Sequence, residues 1–185
     1  LRVLTVQTLM QRFAVDAEQA ARVARTAVDL YGQLRGQDAV GARELAWAAQ
    51  LHEIGCIVSH VDAHRHGAYI LDNADAMGLT LTELHRLSLL VLGHRGKLRK
   101  LEADFEDDVF VSQLLSLRLA VILCHARREP DTQGLRADMN PSSPHEVALS
   151  CREGWSQAYP QSAHLLREEV LAWQKTPWTL TLAGL

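Results

Sequence analysis

The stretch LAWAAQLHEIGCIVSHVDAHRHGAYIL, residues 45–71, decides how this chain is read. It carries His52, His60, His64 and His66, with an acid, Glu53, directly after the first. A helix is expected over about residues 43–54, with Gly55 stopping it as a residue suited to the position after a helix end. A second helix is expected at about residues 62–73. A helix that ends in histidine and acid presents two side chains about 100° apart to one point beside its end. Any further ligands for an ion at that point must come from other helices.

Working outward, helices are expected over most of residues 5–128. Asp16 and Gln19 have capping-box spacing ahead of AEQAARVARTAVDLYGQL. Ala20, Val23, Ala27, Leu30 and Leu34 recur at intervals of three and four, which is one face of a helix closed by Gly36. Thr80 and Glu83 open another helix, to about residue 92, and a very apolar one is expected at about residues 109–128. Residues 129–146, EPDTQGLRADMNPSSPHE, change the composition to that of a linker, with one short strand near 135–139. EVALSC and WTLTLAGL then alternate, Val147, Leu149 and Cys151 on one side and Trp178, Leu180 and Leu182 on the other strand's inner side. SAHLLREEVLAWQ between them is an amphipathic helix. The expected fold is mainly α: a helical domain at residues 1–128, then a small β-β-α-β unit at 129–185 with a three-stranded antiparallel sheet and one helix.

The chain has 185 residues, 48% hydrophobic and 22% charged, with a net charge of −3. That balance argues against a surface made to coat DNA, and no apolar run approaches the roughly 20 residues of a membrane helix. LAVILC, residues 119–124, suits a buried core helix. Cys56, Cys124 and Cys151 are far apart and are expected as thiols in a reducing cytoplasm, with no signal peptide. A first residue of Leu1 suggests an excerpt of a longer protein. No G-x-S-x-G, G-x-x-x-x-G-K-[ST] or G-x-G-x-x-G occurs, and Trp47, Trp155, Trp173 and Trp178 are expected in the core or an interface.

AAQLHEIGCIVSHVDAHRHGAYIL, VLGHRGKL and LLSLRLAVILCHARR together resemble the HD-domain superfamily of metal-dependent phosphohydrolases. They are closer still to the C-terminal region of the exopolyphosphatase / guanosine pentaphosphate phosphohydrolase (Ppx/GppA) family. The resemblance covers nearly the whole chain and implies an HD-like helical bundle. It also implies where metal ligands have been replaced. The first-helix histidine is Gln19 here. The His-Asp pair is His52-Glu53, and the late-helix aspartate is Arg118, whose fixed positive charge repels a cation. The resemblance therefore implies a degenerate site of His52, Glu53, Gln19 and Arg118 that holds no metal. Arg118 is expected either to pair with Glu53 in place of the ion or to serve an anion.

HRGKLRK, residues 94–100, places Arg95, Lys97, Arg99 and Lys100 on a loop with Gly93 and Gly96, chemistry that suits a polyanion. The alternative is a solvated loop neutralised by the acidic run of Glu102, Asp104, Glu106, Asp107 and Asp108. The candidate polyanion-binding set is His94, Arg95, Lys97, Arg99, Lys100, Arg65, His66 and Arg118. His60, His85, His125, His145 and His164 are read as surface or satisfied polar residues.

In the resembled family the phosphatase chemistry, with its magnesium, belongs to N-terminal actin-like domains. The resemblance thus implies a non-catalytic C-terminal domain that helps to bind polyphosphate or guanosine pentaphosphate and forms a homodimer. It implies no cofactor in this chain, no membrane and no DNA partner, and a chain that is inactive by itself within a parent hydrolase. Two alternatives stand beside it: an active HD-type phosphohydrolase on a hyperphosphorylated nucleotide, using His52, Glu53, His94 and His66, and a purely structural oligomerisation domain.

Overall fold

The computed structural model describes residues 1–185. Its elements are α1 (Arg2–Arg12), α2 (Ala17–Arg35), α3 (Ala39–Leu51), α4 (Ala63–Asp72), α5 (Leu81–Gly93), α6 (Asp108–Leu123), β1 (Leu135–Met139), β2 (Glu146–Cys151), α7 (Trp155–Ala158), α8 (Pro160–Trp173) and β3 (Thr179–Ala183). Short 3-10 turns follow α3 at Ile54–Ile57 and α5 at Leu98–Asp104. The chain is mainly helical with a small sheet unit at its end, as its periodicities predict.

α2 begins at the expected cap. The Asp16 carboxylate accepts from the backbone N–H groups of Glu18 and Gln19 at 3.1 and 3.2 Å. Gln19 does not complete the expected box. Its amide donates instead to the carbonyl of Cys124 at 3.0 Å, one of the carbonyls that the end of α6 leaves without a helical partner. The face of Ala20, Val23, Ala27, Leu30 and Leu34 is buried as the spacing predicts. α3 starts at Ala39, ahead of expectation, because Asp38 caps it by accepting from Gly41 N–H at 3.0 Å and from the Tyr31 hydroxyl at 2.6 Å.

α3 ends at Leu51, so His52 is its C-cap. Gly55 plays a different part from the expected stop signal. It lies where the 3-10 turn presses on α4, and a Cβ there would strike the Ala63 carbonyl oxygen and the Gly67 nitrogen. The close approach of these two backbones requires a residue with no side chain.

α6 is the central helix. Phe110, Val111, Leu114, Leu115, Leu117, Leu119 and Ala120 have essentially no exposure, so the helix is apolar on nearly all sides. It stops at Leu123, short of the expected residue 128, and the chain turns away with Arg127 in the left-handed region at φ 56°.

β1 pairs antiparallel with β2, setting Leu135 opposite Cys151 and Met139 opposite Val147. β3 pairs parallel with β2, from Glu146 opposite Thr179 to Ser150 opposite Ala183. The expected all-antiparallel sheet is thus corrected to a mixed one. The reason is α8, which lies between β2 and β3 and carries the chain back, so that β3 enters in the direction of β2. The strand alternation itself holds: Leu135, Ala137, Val147, Leu149, Trp178 and Leu180 are buried. Gln33 of α2 accepts from the Ala137 N–H at 2.7 Å and ties the sheet to the bundle. One cluster of 43 buried residues runs from α1 to β3 and includes Trp47, Trp155, Trp173 and Trp178. No helix is long and apolar enough to cross a membrane.

The backbone contact at Gly55 gives a direct test. Gly55→Ala is expected to destabilise the chain by about 1–3 kcal/mol, the usual cost of overpacking, read as a lower midpoint in urea.

Candidate functional site

The ends of α3 and α5 and the start of α4 meet, and each brings a histidine. His52 is the C-cap of α3, His94 the C-cap of α5, and His64 lies in the first turn of α4. The His52 and His94 rings stand edge to face, 5.0 Å between centroids, and His64 is 6.3 Å from His94. All three are buried. The Nδ1 atoms of His52 and His94 donate to the carbonyls of Ala49 and Val91 at 2.5 and 2.6 Å, so each neutral ring keeps its proton on Nδ1. Burial is the first cause that lowers the pKa of each; His52 adds to it at His94.

The carboxylate needed to turn these rings into a metal site points elsewhere. Glu53 accepts from Arg127 at 3.0 and 3.2 Å, and Arg127 also donates to Asp16 at 3.0 Å. No group of three His, Cys, Asp or Glu side chains is arranged to hold a metal ion.

The expected pairing of Arg118 with Glu53 is corrected as well. Arg118 donates to both carboxylate oxygens of Glu169 on α8, through Nε at 2.7 Å and Nη2 at 2.9 Å. Its Nη1 donates to the carbonyls of Gly93 and Gly96 at 2.8 and 3.0 Å. The residue is only 6% exposed. A guanidinium so engaged is not free to take a polyanion, which also corrects its place in the candidate set. The reason is α8: it brings Glu169 to Arg118, while Arg127 takes Glu53.

The basic loop lies directly beside His64. Gly96 sits at φ 80°, where glycine is at ease, and a Cβ there would come within 3.0 Å of the Lys100 ammonium. Lys100 donates to the Arg95 carbonyl at 2.9 Å, and Arg95 to the His60 carbonyl at 3.1 Å. A hollow of about 490 Å³ opens here, lined by Asp62, His64, Arg65, Gly96, Lys97, Arg99 and Lys100, with no hydrophobic side chain. A second hollow of about 510 Å³ shares Gly96, Lys97 and Arg99 and adds Lys175.

These cations are not neutralised. None of the ion pairs in the structure uses Arg95, Lys97, Arg99 or Lys100, and Asp62 comes only to 3.9 Å from Arg65. The acidic run after the loop does not serve it: Asp107 pairs with Arg86 at 2.8 Å and Asp108 with His145 at 3.0 Å. Burial, then the charges of Arg118, Arg65 and Arg95, push the Lys100 pKa down to about 8. Burial, then Lys100, Arg95 and Arg65, push His64 down to about 4. Its buried Nδ1 has no hydrogen-bond partner. An anion entering the hollow relieves the mutual repulsion of these groups.

Arg65, Lys97, Arg99 and Lys100 of the candidate set therefore meet at one hollow, with Arg95 bracing its loop. His94 lies buried among the histidines, and neither it nor the half-buried His66 lines the hollow. Reasoning from sequence passed over Asp62 and Lys175, and took His64 only as part of HRH, residues 64–66, facing the same groove. For His64 a signal existed: it stands two positions before His66 on a helix whose buried face includes Ala63, Gly67, Ala68 and Leu71. For Lys175, beyond α8, no local signal marks its closeness to residues 96–99.

The family described as Ppx/GppA phosphatase, domain III, matches residues 1–170. The chain belongs to the Ppx/GppA phosphatase family. The resemblance to the Ppx/GppA family is thereby borne out. Three relatives carry the name guanosine-5'-triphosphate,3'-diphosphate pyrophosphatase. That of Aeromonas hydrophila subsp. hydrophila is 31% identical over 96% of this chain. That of Aeromonas salmonicida is 32% identical over 96%, and that of Pseudoalteromonas atlantica 32% identical over 97%. The chain spans 37% of the length of each of these relatives.

The buried histidines set a pH dependence. His64, His52 and His94 all have folded pKa values below the ordinary one of about 6.5, so below that pH the unfolded chain binds protons that the folded chain does not. Stability is full above pH 6.5 and falls below it, for His64 down to about pH 4 by up to about 1.4 kcal/mol per pH unit, with His52 and His94 adding in the same direction. Urea unfolding at pH 7 and pH 5 reads this, and His64→Gln is expected to flatten the slope.

Proposed function

We propose that this chain is the C-terminal, non-catalytic part of a longer cytoplasmic phosphohydrolase, and that its basic hollow holds the phosphate chain of the substrate. The helical part, residues 1–128, carries the hollow; the unit at 129–185 buttresses it. The observation that supports this reading is the convergence of Arg65, Lys97, Arg99 and Lys100 on a space lined by no hydrophobic residue, whose one carboxylate, Asp62, stands only beside Arg65 at 3.9 Å. A strip of unpaired cations holds a long anion through many weak, salt-sensitive contacts and needs no tight pocket. Two phosphate chains fit the reading, inorganic polyphosphate and the phosphates of a guanosine pentaphosphate; the names of the three relatives favour the second. Chemistry and magnesium would reside in preceding domains, since Gln19, Glu53 and Arg118 here are engaged by other partners.

Exposed Leu4 of α1, Met77 in the turn before α5 and Leu81 at the start of α5 lie where Thr5 donates to the Met77 carbonyl and Arg2 pairs with Glu83. This apolar patch suits packing against those preceding domains. Pairing of two copies belongs to the same proposal, and a single monomer mass in equilibrium sedimentation removes it.

The binding reading has a direct check. Lys97→Glu with Arg99→Glu is expected to weaken tripolyphosphate binding about tenfold or more at low salt and to make affinity less steep in salt by close to one unit per cation lost. Calorimetric titration across a salt series measures both. Affinity equal to that of the unaltered chain at every salt concentration overturns the reading.

A further inference from the structure

The geometry points to Arg118 and Glu169 as positioning residues of the basic hollow, through which α8 sets the shape of a loop it does not belong to. The inference rests on the anion reading of that hollow. Nη1 of Arg118 holds the carbonyls of Gly93 and Gly96, at the end of α5 and within the loop. Those two contacts bracket His94 and Arg95 and fix where the chain leaves α5, and hence where Lys97, Arg99 and Lys100 project. The other edge of the guanidinium is held by both oxygens of Glu169, which also accepts from the Trp173 indole N–H at 2.8 Å.

Glu169 is 5% exposed and Trp173 is fully buried, so this anchor is rigid. Gly96 cannot hold the loop by itself, because glycine at a positive φ is free to take many other conformations. Two further observations support a loop that depends on this clamp. After burial, the charge of Arg118 lowers the Lys100 pKa, so that charge reaches the hollow even though its N–H groups do not. Lys175, two residues after α8 ends at Trp173, lines the adjoining hollow with Lys97 and Arg99. One helix therefore both places a cation and positions the loop that carries the others.

Arg118→Lys keeps the charge and loses the planar fork; Glu169→Gln keeps the shape and loses the ion pair. Each is compared with the unaltered chain by amide hydrogen exchange and by tripolyphosphate titration. Faster exchange across residues 94–100 is expected in both variants, with protection in α2 unchanged in Arg118→Lys, which keeps a charge opposite Glu169. Affinity should fall about tenfold because the cations are no longer pre-organised. The salt dependence of Arg118→Lys should stay as steep as that of the unaltered chain, because no phosphate contact has been removed. Unchanged loop exchange and unchanged affinity in both variants overturn the inference. So does a loss of protection throughout the chain in both, which marks a clamp of the fold at large. Loop loosening in Arg118→Lys with no effect of Lys97→Glu and Arg99→Glu on affinity overturns the anion reading and leaves the positioning role standing.

Discussion

The buried pair of Arg118 and Glu169 is the contact on which this arrangement turns. A guanidinium inside a protein loses its hydration, and several kcal/mol per ion must be offset by close partners. Here the offset comes from two carboxylate oxygens and two backbone carbonyls, all within 3.0 Å. Removing one partner from such a buried pair typically costs about 3–5 kcal/mol, because the other charge stays buried without compensation. The pair joins the middle of the most buried helix, α6, to the end of α5 and to α8. It is the polar counterpart of the apolar cluster that runs through helices and sheet alike.

Electrostatics then divides the surface near this pair into two regions of opposite character. On one side Arg127 gathers Glu53 and Asp16, drawing together the ends of α3, α2 and α6. That clip takes the carboxylate a metal would need, and the three histidines left behind are neutral and buried. On the other side lies the hollow of Arg65, Lys97, Arg99 and Lys100. There Lys97, Arg99 and Lys100 have no acidic partners, and burial, with the neighbouring cations adding to it, lowers the pKa of Lys100 and His64. Neutral histidines next to unpaired cations suit an anionic guest far better than a divalent ion.

Much of this was legible before any coordinates. Helix periodicity located the buried face of α2, and alternation located the inner faces of the strands, since both patterns record which side of an element meets the core. Four of the cations at the hollow stood out by their density on a glycine-containing loop or beside the histidines. The family resemblance rested on short, specific strings around His52 and His94. Direction in the sheet was not legible, because alternation is the same whichever way a strand runs. Helix ends were less legible too: Gln19 has the right spacing for a capping box, yet a carbonyl far along the chain offers its amide a buried partner.

The sequence by itself determined the elements, their inner faces, the family and the basic character of the loop after α5, because these depend on neighbours within a few residues. Only the tertiary structure decided who pairs with whom. Arg118 could reach Glu53 or Glu169 as far as residue type goes, and both are glutamates. The choice is made by α8, which brings Glu169 alongside α6, and by Arg127, which has already taken Glu53. Long-range ion pairs are set by the packing of whole elements, and that is settled only when the core is closed.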